Sequence, residues 1–286
     1  MNFRIIAYIV GWVCNFQAAF MMLPLLTAGI YREKDFSAFL LVMLVCLVVG
    51  VPLTRKKPKN KVFYIKDGCV AVALSWLALC IFGSIPFVVS GCIPHPIDAL
   101  FETVSGFTTT GSSILSDVEV LPHCILIWRS FTHWIGGMGV LVFLLSLLPL
   151  AGGYHMNLMK AESPGPSVSK LVPKVQSTAK ILYTIYFGMT LIQLALLLIG
   201  RVPLFDSLCI TFGTAGTGGF GIVNDSLGSY STYCQVVTTI FMILFGVNFN
   251  AYFLLLLRKF NRAISEEVRG YFAIILVAIG IITANI

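Results

Sequence analysis

Seven stretches of this sequence carry no charged side chain: 5–31, 36–54, 68–97, 130–159, 181–200, 226–257 and 270–286. A helix needs about 20 apolar residues to cross a hydrocarbon core of ~30 Å, so each stretch is a candidate membrane span. Composition agrees. Charged residues make up 11% of the chain and hydrophobic ones 58%, whereas soluble domains carry roughly a quarter charged residues. Disorder is excluded by the same balance, because 22 Phe, 10 Tyr and 4 Trp are foreign to disordered chains. The first stretch follows Arg4, as in a signal peptide. It is about twice as long as a 7–15-residue signal core, and an uncleaved span is the better reading.

The charges follow the spans. Arg55, Lys56, Lys57, Lys59, Lys61 and Lys66 fall between the second and third stretches. Lys160, Lys170, Lys174 and Lys180 fall in a second connection, and Arg258, Lys259, Arg262 and Arg269 in a third. With Arg4 these all lie on one side if the spans alternate, and the positive-inside rule makes that side cytoplasmic. A net charge of +7 distributed in this way reports topology and gives no reason to expect nucleic acid as a partner. The opposite side is acidic: Asp98, Glu102, Asp117, Glu119, Asp206 and Asp225. Carboxylates at an outer mouth concentrate cations, although solvated loop charges are an equally good reading of Asp117, Glu119 and Asp225.

Two segments stand out from the apolar background, PIDALFETVSGFTTTGSSI (96–114) and PLFDSLCITFGTAGTGGFGIV (203–223). Laid over each other at a period of 108 residues, Asp98 meets Asp206, Thr103 meets Thr211, Thr109 meets Thr217 and Gly111 meets Gly219. Each is a helix too short to cross, opened near a Pro with an acid in its first turn, then stopped by Thr and Gly. Irregular backbone at membrane depth is tolerated where it is buried in protein or lines a watery cavity. Glycine permits φ > 0, so successive carbonyls can face one way and replace the hydration shell of an alkali ion, with Thr hydroxyls adding oxygens. Oxygen ligands alone offer no redox or acid–base chemistry, and no enzymatic activity is expected. One such loop could equally be a plain turn between spans. Two in a single register argue against that.

The strings FETVSGFTTTGSSIL (101–115), HWIGGMGVLVF (133–143), KAESPGP (160–166) and AGTGGFG (215–221) resemble the Trk/Ktr potassium-uptake membrane subunits, most closely the TrkH type. The resemblance implies an all-α membrane protein with two N-terminal spans (1–54), then M1–P–M2 repeats like potassium-channel subunits with reentrant pore loops. Complete repeats would cover 67–150 and 178–258, and 268–286 would start a third. The filter would be Thr109, Thr110 and Gly111 with Thr217, Gly218 and Gly219, and Gly216 if the register slips by one. K⁺ would be the transported ion, with no covalently bound cofactor. A homodimer in a bacterial inner membrane is implied, with a cytoplasmic N-terminus and a cytoplasmic nucleotide-binding regulatory subunit on the basic face. Because further repeats would lie beyond Ile286, the chain reads as a fragment or truncated product. Alternatives on the same scaffold are a sodium-coupled or poorly selective cation pathway and a non-conducting half-pore that serves assembly.

Other motifs carry less. GTGGFG (216–221) is a literal GxGxxG, but it lacks the acid about 20 residues on and the soluble βαβ setting that a dinucleotide site needs. Four scattered His and eight Cys show no metal-ligand spacing, and the thiols read as small hydrophobes. Ser130 and His133 have no nucleophile elbow beside them. Glu102 and Arg129 read as an inter-repeat ion pair or as a control on ion entry, with the pair favoured. Gly136, Gly137 and Gly139 permit close helix approach or a bend. Asn248 and Asn250 either bond across helices or line an inner cavity.

Overall fold

The computed structural model describes residues 1–58, 64–137, 139 and 175–285. All regular structure among them is helical. The first apolar stretch forms α1 (Phe3–Phe20) and α2 (Met22–Tyr31), which together read as one span, and α3 (Phe36–Arg55) is the second. Small residues let α1 and α3 approach closely. A Cβ at Gly50 would lie 2.7 Å from the Gly11 carbonyl oxygen, and Asn15 Nδ2 donates to Thr54 Oγ1 at 3.1 Å. This is how helices associate where apolar burial gives no drive.

Next come α4 (Ile65–Val89), α5 (Pro96–Phe107) and α6 (His123–Gly137), then α7 (Val175–Ile199), α8 (Leu204–Ala215) and α9 (Thr232–Gly246). The two series match helix for helix, at 25, 12 and 15 residues each. Even the ends of the 25-residue helices agree, each followed two residues on by a left-handed residue, Gly91 at φ 77° and Arg201 at φ 59°. Among the described residues, five helical segments are long and apolar enough to cross a membrane. Of the stretch 130–159, only 130–137 and 139 lie within the described residues.

The stretch 226–257 departs from the expectation of one straight span. It divides into α9 and α10 (Phe249–Leu256), bent by 89°. Val247 is extended, and the Asn248 side chain caps the new helix by accepting from the Asn250 amide at 3.0 Å. A helix end leaves carbonyls without partners. Here Tyr252 Oη donates to the Leu244 carbonyl at 2.6 Å and Tyr271 Oη to that of Ile243 at 2.9 Å. Asn248 Nδ2 also reaches both Glu267 carboxylate oxygens at 3.2 Å. Charge-free composition reveals apolarity but not a break without proline. The chain ends in α11 (Phe260–Ala263) and α12 (Glu266–Asn285), the latter with no buried residue.

The N-terminal spans are fastened to the first series by polar contacts. Gln17 Nε2 donates to the Leu79 carbonyl at 2.9 Å, and the Asn2 amide to Asp67 Oδ1 at 3.1 Å. Glu33, between α2 and α3, caps the start of α6 by accepting from the backbone amides of His123 (2.7 Å) and Cys124 (3.0 Å). Burial alone would raise the Glu33 carboxyl. Hydrogen bonds from Cys124 and His123 outweigh it and hold the group below the usual carboxylate range.

Candidate functional site

The segments after α5 and α8 take the same path. The Thr109 amide donates to the Gly106 carbonyl (3.1 Å) and Thr110 to Ser105 (2.9 Å). One repeat later, Thr217 donates to Thr214 (2.8 Å) and Gly218 to Gly213 (3.2 Å). Each helix therefore closes with a left-handed residue, the usual glycine position of a helix C-terminus. Here that residue is threonine, with Thr109 at φ 57° and Thr217 at φ 53°. A β-branched side chain with positive φ is a genuine outlier. Such strain persists only where the surroundings impose it. Two residues on, Gly111 (φ 76°) and Gly219 (φ 78°) are left-handed again. Left-handed backbone thus alternates with other conformations along both loops, in one register.

The loops touch. A Cβ at Gly111 would collide with the Gly218 carbonyl oxygen. Of the seven residues singled out, Thr109, Thr110 and Gly111 lie together in the first loop, and Thr217, Gly218 and Gly219 in the second. Gly216 does not join them in the loop. It is the αR C-cap of α8, buried against the His133 carbonyl, 2.5 Å from where its Cβ would be. The absence of a side chain there permits the close contact with α6.

One face of α6 stands behind both loops. The space of a side chain at Gly106 is filled by Thr132, Gly136 abuts the Phe107 carbonyl, and a Cβ at Gly137 would lie 3.0 Å from Gly216 Cα and 3.1 Å from the Ala215 carbonyl oxygen. Arg129, 2% exposed, donates through Nε to Glu102 Oε1 at 2.7 Å, and Glu102 is fully buried. Glu102 further accepts from Ser113 Oγ (3.0 Å) and the Ile114 amide (2.9 Å), while Arg129 Nη1 donates to the Gly221 carbonyl (3.2 Å). The Arg129 guanidinium also lies 4.2 Å from the Phe220 ring centroid. This buried pair joins α5, the exit of the first loop and the exit of the second.

Nearer the surface, the chain beyond each loop is clasped to the other. The Val118 amide donates to Asn224 Oδ1 (2.9 Å), the Asn224 amide to Glu119 Oε1 (3.0 Å) and Asn224 Nδ2 to Asp117 Oδ1 (2.8 Å). Hydrogen bonds from the Asn224 side chain and the Glu119 amide hold the Asp117 carboxyl below its ordinary value. The acids at 117 and 119 therefore have a structural job. Asn224 was the residue sequence reasoning missed, since a lone Asn in a polar loop carries no signal of its partner 107 positions away.

Residues 34–277 match the TrkH family of cation transport proteins. The chain belongs to that family. The Trk system potassium uptake protein TrkH of Salmonella typhimurium is 36% identical over 263 residues, 90% of this chain and 54% of that protein. An uncharacterized cation transporter of Methanocaldococcus jannaschii is 32% identical over 264 residues, 92% and 54% of the two chains. The crystal structure of the potassium transporter TrkH from Vibrio parahaemolyticus superposes with a TM-score of 0.74 at 29% identity, covering 88% of this chain and 52% of that one. The chain thus spans about half the length of the TrkH proteins it matches. Family membership and the apolar helices together make it a multi-pass membrane protein.

Proposed function

We propose that this chain is part of a potassium-uptake membrane subunit and supplies two of the reentrant loops of a carbonyl-lined filter. In this reading α4–α5–α6 and α7–α8–α9 are two M1–P–M2 repeats, the ones the sequence bounds at 67–150 and 178–258, with the first helix of each starting two or three residues earlier. Residues 1–54 are the N-terminal spans, and 268–286 open a third repeat. Thr109, Thr110, Gly111, Thr217, Gly218 and Gly219 line the path, and Gly216 packs behind it.

The observation that carries the reading is the alternating left-handed backbone at 109 and 111 and again at 217 and 219, in loops that abut. Alternation of handedness turns successive carbonyls toward one side. Several carbonyls on one side substitute for the water around a dehydrated K⁺. α5 and α8 end at these loops, and the partial negative charge of a helix C-terminus favours a cation. The acidic outer segments raise its local concentration.

In this reading the membrane is a bacterial inner membrane, and the basic segments, including 55–66 and 258–269, favour a cytoplasmic N-terminus by the positive-inside rule. The Asn2–Asp67 contact at the edge of the first basic segment supports that placement. The same face is where a nucleotide-binding regulatory subunit would dock, on a homodimer of the complete subunit.

The test is uptake of Rb⁺ against Na⁺ by vesicles containing the protein as its own reading frame produces it. Gly111→Ser and Gly219→Ser are expected to lower the Rb⁺/Na⁺ ratio or abolish uptake. An unchanged ratio in both variants removes the filter assignment.

A further inference from the structure

His133 is fully buried on α6, and neither ring nitrogen has a hydrogen-bond partner among the described residues. Buried polar atoms are nearly always bonded, so an imidazole held here invites an explanation. Its ring stacks on Phe220 of the second loop, centroids 4.1 Å apart and planes 22° from parallel. Its edge occupies the place where Gly218 would carry a side chain. A Cβ built there meets Cε1, Nδ1 and Nε2 of the imidazole, and Nε2 at 2.8 Å is the farthest of the three. Gly218 is also the residue whose carbonyl presses on Gly111 of the first loop. The imidazole, Gly218 and Gly111 therefore form a line from α6 through the second loop to the first.

We propose that His133 is a specificity-determining positioning residue, whose ring stands in for the missing Gly218 side chain and sets how far the second loop reaches toward the first. The inference rests on reading the loops as an ion filter. A phenyl ring would give the same stack without unpaired nitrogens, but it is larger and would push Gly218 further into Gly111. A methyl would leave a void into which the loop could retreat. Five-membered ring size is what the position selects, and the spacing of the two sets of carbonyls follows from it. Among the described residues the first loop has no ring in the equivalent place, and a Cβ at Gly136 would meet the Phe107 carbonyl and lie 3.1 Å from Thr109 Cγ2.

The experiment is Rb⁺ and Na⁺ uptake by the natural protein in vesicles, with size-exclusion and thermal unfolding as folding controls. His133→Ala is expected to keep uptake while lowering the Rb⁺/Na⁺ ratio several-fold, because a loop free to retreat no longer holds its carbonyls at the spacing a dehydrated K⁺ needs. Gly218→Ala is expected to abolish Rb⁺ uptake, and Gly218→Ala combined with His133→Ala to restore part of it, because the new methyl enters the space the ring leaves. A wild-type ratio in His133→Ala, or a double variant no better than Gly218→Ala, overturns the proposal. Should His133→Ala fail to fold, His133→Asn, a shorter planar group, is read in the same way. Failure of all three His133 variants to fold makes the residue merely structural and overturns the proposal too. If Gly111→Ser and Gly219→Ser shift the ratio while the His133 variants do not, only this inference fails. If none of them shifts it, the filter reading fails and takes this inference with it.

Discussion

The two Thr/Gly loops share a backbone but not an environment. The first is wired by charge. Glu102 on α5 lies under it, pairs with Arg129 and receives the Ser113 hydroxyl and Ile114 amide at the loop's exit. At the positions 108 residues on, Ile210 replaces Glu102 and Val237 replaces Arg129. The second loop shares Arg129, through the Gly221 carbonyl and the Phe220 ring, but has Ile210 where the first has its carboxylate. It packs on His133 beside a cavity of about 60 Å³ lined by Gly219, Thr238 and Met242. A duplicated segment can therefore keep its main-chain geometry while the means of holding it changes. What the repeat fixes is φ and ψ, and what varies is the scaffold.

The sharpest way to break this comparison is to remove one charge. Glu102→Ala leaves Arg129 buried without its carboxylate, a change that costs about 3–5 kcal/mol. The loss is expected as a lower unfolding temperature in detergent, whereas Ile210→Ala should cost about 2–5 kcal/mol by cavity formation alone. Joint replacement, Glu102→Gln with Arg129→Met, should recover much of the stability. If Glu102→Ala unfolds at the wild-type temperature, the first loop is not held by charge.

A smaller contrast concerns the glycines. Alanine at either position meets the left-handed penalty of roughly 1–2 kcal/mol. At Gly111 it also strikes the Gly218 carbonyl, while at Gly219 the nearest atom to a new Cβ is Met242 Cε at 3.6 Å. Gly111→Ala should thus impair Rb⁺ uptake and stability well beyond Gly219→Ala. Equal effects would mean that the loops do not abut as described.

Smaller again are Thr109→Gly and Thr217→Gly. Relief of the left-handed threonine, about 1–2 kcal/mol, is offset by the roughly 0.5–1 kcal/mol of added chain entropy that glycine brings. Stability should change by no more than about 1 kcal/mol, while the Rb⁺/Na⁺ ratio falls as the Thr oxygens leave. A fall confined to one loop would show that the two do not share the work.

The smallest effect is at the outer clasp. Asp117 has a folded-state value below its unfolded one, so its contribution is present above about pH 4. It is lost as the pH falls through the depressed value. Relative to the intrinsic rate at each pH, hydrogen exchange at 117–119 and 224–226 should accelerate together in acid, and Asp117→Asn should remove that acid step. Acceleration on one side only would separate the two loops.

Much of this was legible in the sequence, for physical reasons that differ by residue. Charge-free runs mark spans because an unpaired charge is costly in hydrocarbon, and the 108-residue register marks the loops because Thr and Gly are rare company in apolar chain. Glu102–Arg129 was legible as an ion pair because two opposite charges near the membrane boundary need each other, although the pair joins two helices of one series where a pair between repeats was expected. The role of Gly216 was not, since a glycine permits both a left-handed turn and a close contact, and only three-dimensional neighbours distinguish them. His133 was weighed only as a scattered histidine and as a partner for Ser130. Its meaning depends on Gly218, 85 positions on, and no local pattern connects an imidazole to an absent side chain. The division at Val247 escaped because its determinants, Tyr252 and Tyr271, act through hydroxyls from other helices.

That division has a further consequence. No proline enforces the right-angled turn between α9 and α10, and the carbonyls of Ile243 and Leu244 are occupied by phenols that can let go. The turn is thus held by lodged hydroxyls, and the alternative they hold it against is a continuous rod. Tyr252→Phe with Tyr271→Phe should tip it toward the rod, lengthening the distance between spin labels placed on either side, whereas an unaltered distance would mean that packing alone keeps the elbow folded.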